Sequence, residues 1–368
     1  RFFAGAASAL VRPLSGYIIG RWFPHSTRGK QFGLFKTSQT VGRMTGTFLG
    51  AYFASSWRWL LLSFGAVCCL LALLMPLLCT RPGSGYLSFG TTEKQYPAES
   101  ADRLRAEDVD VGHHREGEKA SRAALVAVVF RSRSFQLLLL HGVFGSFPYS
   151  GFGFVVLWFQ TGGVASQLAG AYANCLHLGT LFGNICAGYL GDYAASKSAS
   201  HGRIYIAQIG DVLRIPMTCF IFGLSLSNST AAVALFALGM VIPLVGSGAT
   251  LPMITELAPP EVVGTISGYH MALESVFAVL AGPMVGVLAE QLFGYDLAAL
   301  RHCVDDPAAT GFACPGAENN HAALSKALLW NAAGPWTVCA LIVSSLHYFF
   351  PRDRLRALAA ASSAQRVV

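Results

Sequence analysis

The chain has 368 residues, of which 53% are hydrophobic and 12% are charged, and its formal net charge is +7. Soluble domains usually carry about 25% charged residues, so this composition and a mean hydropathy of +0.49 exclude an ordinary water-soluble domain. The positive charge does not indicate a nucleic-acid partner, because Lys and Arg are concentrated in the short polar breaks between apolar stretches.

The apolar stretches are each about as long as a membrane-crossing helix, which takes about 20 residues. A first group of three spans is predicted at Phe2–Phe23, Leu34–Phe53 and Leu60–Leu78. A second group of six is predicted at Phe135–Phe159, Leu168–Tyr189, Ile204–Leu226, Ala231–Ile254, Val262–Leu288 and Leu328–Phe350. The sequence therefore predicts an all-α, multi-pass integral membrane protein of about nine transmembrane helices, with the lipid bilayer as its surroundings. Which membrane it occupies is left open.

Four regions follow from this division of the chain. Residues 1–80 hold the first group of spans, and residues 81–134 form a polar linker that has little to bury. Residues 135–351 form a six-helix bundle, and residues 352–368 form a tail. The chain starts without Met, and three spans before a long linker are what a six-plus-six protein would show without its first three helices. We therefore expect a chain truncated at its N-terminus.

The basic residues predict the orientation of the bundle. Lys and Arg are more frequent in the breaks on the side of the linker and the tail, so that side is predicted to be cytoplasmic. The break between Glu256 and Glu261 differs, because it lies on the predicted cytoplasmic side with two acids and no base. Acidic residues contribute little to the rule, so the orientation is kept.

Several short motifs occur in a fixed order along the chain. Gly188, Gly191 and Asp192, with Lys197 and Arg203 after them, resemble the loop signature of the major facilitator superfamily. Two further resemblances are Arg1-Phe2-Phe3-Ala4-Gly5, at the start of that family's fourth helix, and the spacing of Gly33, Gly42, Gly46 and Gly50 in its fifth helix. Thr47 stands where the fifth-helix motif has proline, which weakens any inference of antiport.

This resemblance implies a major facilitator type helical bundle in which residues 1–80 are a remnant of the N-terminal half, helices four to six. A closer resemblance is carried by the segments Gly142–Pro148, Gly191–Arg203, Ala281–Pro283, Phe293–Asp296, Leu324–Lys326 and Leu346–Phe349. These are similar to a plant and protist, Spinster-like group within the superfamily, whose substrates are unassigned.

The resemblance implies a secondary transporter that moves a small molecule or a lipid-like solute by alternating access. Two alternatives stay open: a non-transporting membrane sensor or scaffold, and a scramblase-like protein that moves lipids. A coupled proton or cation is a further possible partner. The sequence has no P-loop, zinc-protease motif or nucleophile elbow, so neither an enzyme nor a cofactor is predicted.

The loop motif predicts a gate formed by Gly188, Gly191, Asp192 and Arg203. An acid near a helix end can accept hydrogen bonds from the N-terminal amides of a neighbouring helix, where the helix dipole favours negative charge. We expect Asp192 in such a position, with Arg203 as its cationic partner and glycines that permit close helix approach. The alternative is a solvated loop that only sets the topology.

Charged residues within the spans are the second signal, because each costs about 2.5–3.5 kcal/mol at the centre of a membrane helix. Arg12, Arg43 and Glu274 are predicted to face a cavity, and Glu274 is the preferred coupling residue, with His270 as a further candidate. Snorkelling toward an interface is the alternative for Arg43. Asp211 and Arg214 share a helix face, where a structural pair is as compatible as a functional one.

The nine cysteines show no metal-binding pattern, and no metal site is predicted. Cys303 and Cys314 differ from the others, because both lie in the long non-cytoplasmic break before the last span. We expect them to form a disulfide there, since thiols persist poorly in oxidising compartments. Two free thiols in a flexible loop are the alternative, because connectivity cannot be deduced from sequence.

Overall fold

The computed structural model describes residues 11–24, 26–52, 56–78, 114–259, 262–297 and 317–365. Cys303, Cys314 and the motif at residues 1–5 lie outside these ranges, so the disulfide and that motif stay predictions. The regular secondary structure of the described residues is helical, and no strand occurs among them. The all-α prediction is confirmed for this part of the chain.

Twelve helices of the described residues are numbered in chain order. They are α1 Val11–Trp22, α2 Arg28–Tyr52, α3 Trp57–Leu78, α4 His114–Arg131, α5 Arg133–Gly151, α6 Val155–Thr161, α7 Ser166–Lys197, α8 Gly202–Gly223, α9 Asn228–Val245, α10 Leu251–Leu257, α11 Val263–Val287 and α12 Ala317–Gln365. Within the described residues, each predicted span overlaps one of these helices or two consecutive ones. Residues 2–10 of the first predicted span lie outside the described residues. The helical segments long and apolar enough to cross a membrane, among the described residues, are Arg133–Thr161, Gly202–Gly223, Asn228–Leu257, Val263–Leu292 and Glu318–Ala357.

Three of these long segments contain a proline followed by a short change of helix type. Pro148 in α5 precedes a 3₁₀ turn at Phe152–Phe154, Pro243 in α9 precedes a π-helical turn at Gly246–Thr250, and Pro283 in α11 precedes one at Leu288–Leu292. Proline lacks the N–H that would continue the helical ladder. The hydroxyl of Ser247 donates to the Pro243 carbonyl at 3.1 Å, so a side chain supplies a bond within the irregular stretch.

A close helix contact joins α7 and α9 through glycines. A Cβ on Gly179 would overlap the Phe236 carbonyl, and a Cβ on Gly239 would overlap the Leu176 carbonyl. Small residues let two membrane helices approach until their backbones touch, and van der Waals packing then holds them. This contact fixes α7, which carries both the loop motif and polar residues of the interior.

The end of the linker is helical and partly buried. Val129 of α4 is 4% exposed, and the ring centroids of Phe130 lie 5.1 Å from Phe135 and 5.3 Å from Tyr269. The prediction that the linker has little to bury is therefore wrong for this part. α12 continues without a break to Gln365 and so includes most of the predicted tail.

The chain divides into two compact units. One consists of Arg1–Phe48 and Leu125–Val368, and every site described below lies in it. The other is Leu49–Ala124 and contains α3, whose side chains such as Leu62 and Leu73 are exposed. An exposed apolar helix surface of this kind suits contact with lipid.

Candidate functional site

Asp192, near the end of α7, binds the first turn of α2. Its Oδ1 accepts a hydrogen bond from the Gly29 amide at 3.0 Å, and its Oδ2 accepts one from the Lys30 amide at 2.9 Å. The first amides of a helix have no partner within the helix and carry partial positive charge. A buried carboxylate at this position is therefore stabilised by the backbone of α2.

Arg203, at the start of α8, extends this contact into a chain of buried charges. Its Nη2 lies 2.8 Å from Asp192 Oδ1, and its Nε lies 3.1 Å from Glu256 Oε1. The second oxygen of Glu256 accepts from Arg354 Nε at 2.9 Å. We call Asp192, Arg203, Glu256 and Arg354 the junction network, which joins α7, α8, α10 and α12 and binds the first turn of α2.

Arg28 lies beside the junction network and joins further elements. Its guanidinium donates to the carbonyls of Phe23 at 3.1 Å and Thr255 at 3.2 Å, and also to that of Gly20. Burial lowers the pKa of Arg28 from its ordinary value, and the negative charge of Glu256 opposes that shift. The residue thus holds α1 and α10 at the start of α2.

The glycines of the loop motif are required by the short distances at this junction. A Cβ on Gly188 would lie 2.6 Å from the Gly29 carbonyl oxygen, and one on Gly191 would overlap the backbone of Gly248. The structure thus brings together the four residues that were predicted to form a gate, Gly188, Gly191, Asp192 and Arg203. Their role in transport stays a prediction.

A cavity of about 300 Å³ lies between α2, α5, α7, α8, α9 and α11. Helical periodicity explains the polar part of its lining, because residues three or four apart share a helix face. The polar lining residues include Lys36, Gln39, Thr40 and Arg43 on α2, His141 and Tyr149 on α5, Thr180 and Asn184 on α7, Arg214 on α8, and His270 and Glu274 on α11.

Three of the predicted interior residues, Arg43, His270 and Glu274, line this cavity. Arg43 is exposed, and the Glu274 side chain is 33% exposed. The His270 side chain is 5% exposed, and its Nδ1 lies 4.0 Å from Glu274 Oε2. Neither ring nitrogen of His270 has a hydrogen-bond partner among the described residues. The side chain of Arg12 lies outside what the structure describes.

Behind the cavity wall lies a group that sequence reasoning did not assemble, which we call the buried triad: His141, Asp211 and Arg214. Asp211 is fully buried, and its Oδ2 lies 3.1 Å from His141 Nε2. Its Oδ1 contacts Arg214 Nη2, and the Arg214 guanidinium lies 4.6 Å from the ring centroid of Trp336. His141 and Arg214 line the cavity, whereas Asp211 does not.

The buried triad provides partners for only some of the hydrogen-bond donors of Arg214. Among the described residues, Arg214 Nε has no hydrogen-bond partner, and Nη2 forms an ion pair without hydrogen-bond geometry. Buried donors nearly always have a partner in proteins. Arg214 lines the cavity, but Nε and Nη2 are buried, so a polar ligand could pair with them once the guanidinium turns.

Two members of the buried triad, His141 and Asp211, lie beside Cys339, so three side chains that can bind metals come together. Ligand atoms of His141, Asp211 and Cys339 all lie within 4.8 Å of one another. Arg214 contacts the same carboxylate, however, and its positive charge opposes a second cation there. The arrangement therefore favours an ion pair over a metal centre.

The charges on the described cavity lining are unbalanced. Lys36, Arg43 and Arg214 are cationic, and Glu274 is the one carboxylate among the described lining residues. Asp211 adds a negative charge behind the wall. Charges in a site with low-dielectric walls act strongly on a ligand, so this cavity suits a negatively charged one.

Comparison with known proteins gives a family match and several relatives. The sequence matches the Major Facilitator Superfamily over residues 1–283. It is 23% identical over 315 residues to the "Probable galactarate/D-glucarate transporter GarP" of Escherichia coli strain K12, and equally to that of strain O157:H7. Those alignments cover 81% of this chain and 67% of each relative.

Solved structures show the same fold. A bacterial homologue of the human lysosomal transporter Spinster, inward-facing and unoccupied, matches with a TM-score of 0.58 at 18% identity, covering 92% of this chain and 74% of that one. Its inward-facing, occupied form matches with a TM-score of 0.56 at 17% identity and the same coverage. The predicted Spinster-like fold and the predicted multi-pass membrane location are confirmed. The chain belongs to the Major Facilitator Superfamily.

Proposed function

We propose that the protein is a secondary transporter that moves a small organic anion across a membrane by alternating access. The observation that supports this proposal best is the cavity in which Lys36, Arg43 and Arg214 face one carboxylate, Glu274. Family membership supports the transporter part of the proposal. The class of substrate is inferred from the charge of the cavity.

The chemistry of Arg214 supports a carboxylate as the group that is recognised. A guanidinium presents several N–H donors in one plane, which match the two oxygens of a carboxylate. Among the described residues Arg214 Nε is buried and without a partner, so it gains one if the guanidinium turns toward a ligand in the cavity. Thr180 and Asn184 on the α7 side can bind hydroxyl groups of the same solute.

The named relative fits this chemistry, since galactarate and D-glucarate are sugar acids with a carboxylate at each end. At 23% identity it suggests probes rather than a substrate. A volume of about 300 Å³ is at the lower end for small-molecule sites. A polar cavity of this size favours a small solute over the lipid-like solute and the lipid scramblase.

The coupling ion is a separate part of the proposal. Sequence reasoning selected Glu274, with His270, for a coupled proton or cation, and both line the cavity. Arg12 and Arg43 were selected for the substrate path. We propose no catalysis and no cofactor, because the relatives are transporters. A non-transporting sensor or scaffold is the alternative that the experiment must separate.

The test is uptake by proteoliposomes that contain the full-length protein. We expect concentrative uptake of labelled D-glucarate, competition by galactarate, and no uptake of D-glucitol, a neutral polyol with the same number of carbons. Arg214→Gln should abolish uptake, whereas Arg356→Gln should not, because Arg356 is an exposed cation near the start of the tail. Uptake of the neutral solute alone would contradict an anion site. Vesicles that move no solute would support the scaffold, and lipid movement without a gradient would support the scramblase.

A further inference from the structure

We propose that Asp211 carries the coupled proton, and that the substrate loads this proton by taking Arg214 away from it. This inference rests on the proposed anion transport and adds its coupling step. It concerns the buried triad rather than the more exposed Glu274. The two essential facts are the complete burial of Asp211 and its contact with a cation that lines the cavity.

The geometry gives Asp211 two neighbours that reach the cavity. His141 on α5 contacts one carboxylate oxygen at 3.1 Å, and Arg214, one turn further along α8, contacts the other. A proton that enters the cavity can therefore reach Asp211 through the imidazole of His141. A substrate carboxylate that enters the cavity meets Arg214 directly.

The two carboxylates compete for one guanidinium. Arg214 rests against the ring of Trp336 and keeps Nε unpartnered among the described residues, so it can turn toward a ligand without leaving its support. A buried carboxylate that loses its cation favours the protonated form, because an isolated buried charge is costly. Substrate binding at Arg214 therefore drives proton binding at Asp211.

The step balances in charge and atoms. In the empty site, Asp211 is ionised and paired with Arg214. In the loaded site, the substrate carboxylate is paired with Arg214, and Asp211 holds a proton that came from solution through His141. The carboxylate that pairs with Arg214 and the proton on Asp211 together add no net charge, and one proton crosses with each substrate molecule. The second carboxylate of D-glucarate adds one negative charge, which Lys36 and Arg43 of the cavity lining attract. On release, Arg214 returns to Asp211, and the proton leaves through His141.

Other titratable and charged groups surround the triad, and they define the competing assignments. They are Tyr149 on α5, Cys339 on α12, Glu274 and His270 on α11, and Lys36 and Arg43 on α2. Glu274 is the main competitor because it is acidic. It is one-third exposed, and its ion-pair contact with His270 is at 4.0 Å. Glu274 therefore responds less to the position of Arg214 than Asp211 does.

The experiment compares proton flux with substrate exchange in proteoliposomes that contain a trapped pH-sensitive dye. The variants are Asp211→Asn, Glu274→Gln and a control, Glu290→Gln, which removes an exposed carboxylate. A gradient of about one pH unit supports about tenfold accumulation through one coupled proton. We expect Asp211→Asn to lose that accumulation and the dye response to D-glucarate while it still exchanges internal for external D-glucarate. Glu290→Gln should keep all three activities. Glu274→Gln, which changes a residue of the cavity lining, should still couple D-glucarate movement to the dye response, whatever its transport rate.

Each outcome decides the proposal. Coupled flux in Asp211→Asn, or its loss in Glu274→Gln alone, would overturn it. If Asp211→Asn also loses exchange, Asp211→Glu decides: restored exchange with proton flux supports the proposal, and anything less makes Asp211 a structural residue only. A wild-type protein that moves no anion would reject the proposed function itself. A wild-type protein that exchanges the anion without protons would reject only the coupling step.

Discussion

The junction network and the buried triad are both buried clusters of charge, but they differ in how well their members are satisfied. In the junction network, Asp192 accepts two hydrogen bonds from backbone amides and forms an ion pair with Arg203. Each carboxylate oxygen of Glu256 accepts a hydrogen bond from an arginine. In the buried triad and the cavity beside it, the described structure leaves donors of Arg214 and both nitrogens of His270 unpartnered.

This difference separates two roles that charge can have inside a membrane bundle. A network whose charged groups all have partners gains no hydrogen bond from a ligand, so it stabilises one arrangement of the helices. A cluster that contains donors without partners gains hydrogen bonds when a polar ligand binds. Variants of the junction network should therefore change stability and conformational populations, and variants of the cavity should change substrate affinity. The predictions below test that separation, from the largest expected effect to the smallest.

Arg203→Ala should have the largest effect, on stability. It leaves Asp192 and Glu256 buried with fewer cationic partners, and removal of one partner from a buried pair costs about 3–5 kcal/mol. We expect a clearly lower Tm in a thermal melt of the detergent-purified protein. Arg356→Ala, which truncates an exposed arginine, is the control. An Arg203→Ala protein with an unchanged Tm but weaker substrate binding would reverse the comparison.

Gly188→Ala should follow, through packing rather than charge. Alanine is a better helix former than glycine by about 1 kcal/mol, so an isolated helix would gain. Here the added Cβ would lie 2.6 Å from the Gly29 carbonyl oxygen, and overpacking of this kind costs about 1–3 kcal/mol. Gly42→Ala is the matched control, because no described atom lies within 4 Å of its Cβ position. A Tm that rises equally in both variants would show that α2 and α7 do not need the close contact.

The sequence predicted one half of the junction network and left the other half unrecognised, for a physical reason. Asp192 and Arg203 lie within one motif, and their partners are backbone amides, which any helix start supplies. Glu256 left a weaker signal, as part of the acidic break on the predicted cytoplasmic side. Arg354 looked like one of several tail arginines, because nothing in its local pattern shows that α12 continues beside α10.

The residues of the cavity and the buried triad were also predicted only in part from the sequence. Arg43 and Glu274 were predicted because charge within an apolar span must avoid lipid. His270 was named as a further polar candidate. The spacing of Asp211 and Arg214 predicted a shared face, and the structure shows them in contact. The partner His141 lies 70 residues away. Which faces of α5 and α8 meet cannot be read from helices that are apolar on most sides.

Asp192→Asn should have a moderate effect, on conformational populations. Asparagine keeps an oxygen that can accept from an amide of α2, but it loses the charge that strengthens the bonds to α2 and Arg203. We expect a cost of about 1–2 kcal/mol to the junction, which shifts the ratio of inward-facing to outward-facing molecules by about tenfold. Distances between spin labels on opposite halves of the full-length protein measure this ratio. Unchanged populations together with normal transport would show that the network is not a latch.

Arg43→Gln should have the smallest effect, on substrate affinity alone. Arg43 lines the cavity but is exposed, so solvent screens its attraction for an anion, and exposed ion pairs contribute about 0.2–1 kcal/mol. We expect the KM for D-glucarate to rise by about twofold to fivefold, with kcat and Tm unchanged. Raising the ionic strength should reduce the difference between the variant and the wild type, because salt screens exposed charges. The control is Gln39→Asn, which shortens an uncharged neighbour on the same face of α2 and should leave the salt dependence as it is. A fall in Tm without a change in KM would show that Arg43 stabilises the fold, as the junction network does. Among the described residues, Lys36 and Arg214 would then be the cations that attract an anion into the cavity.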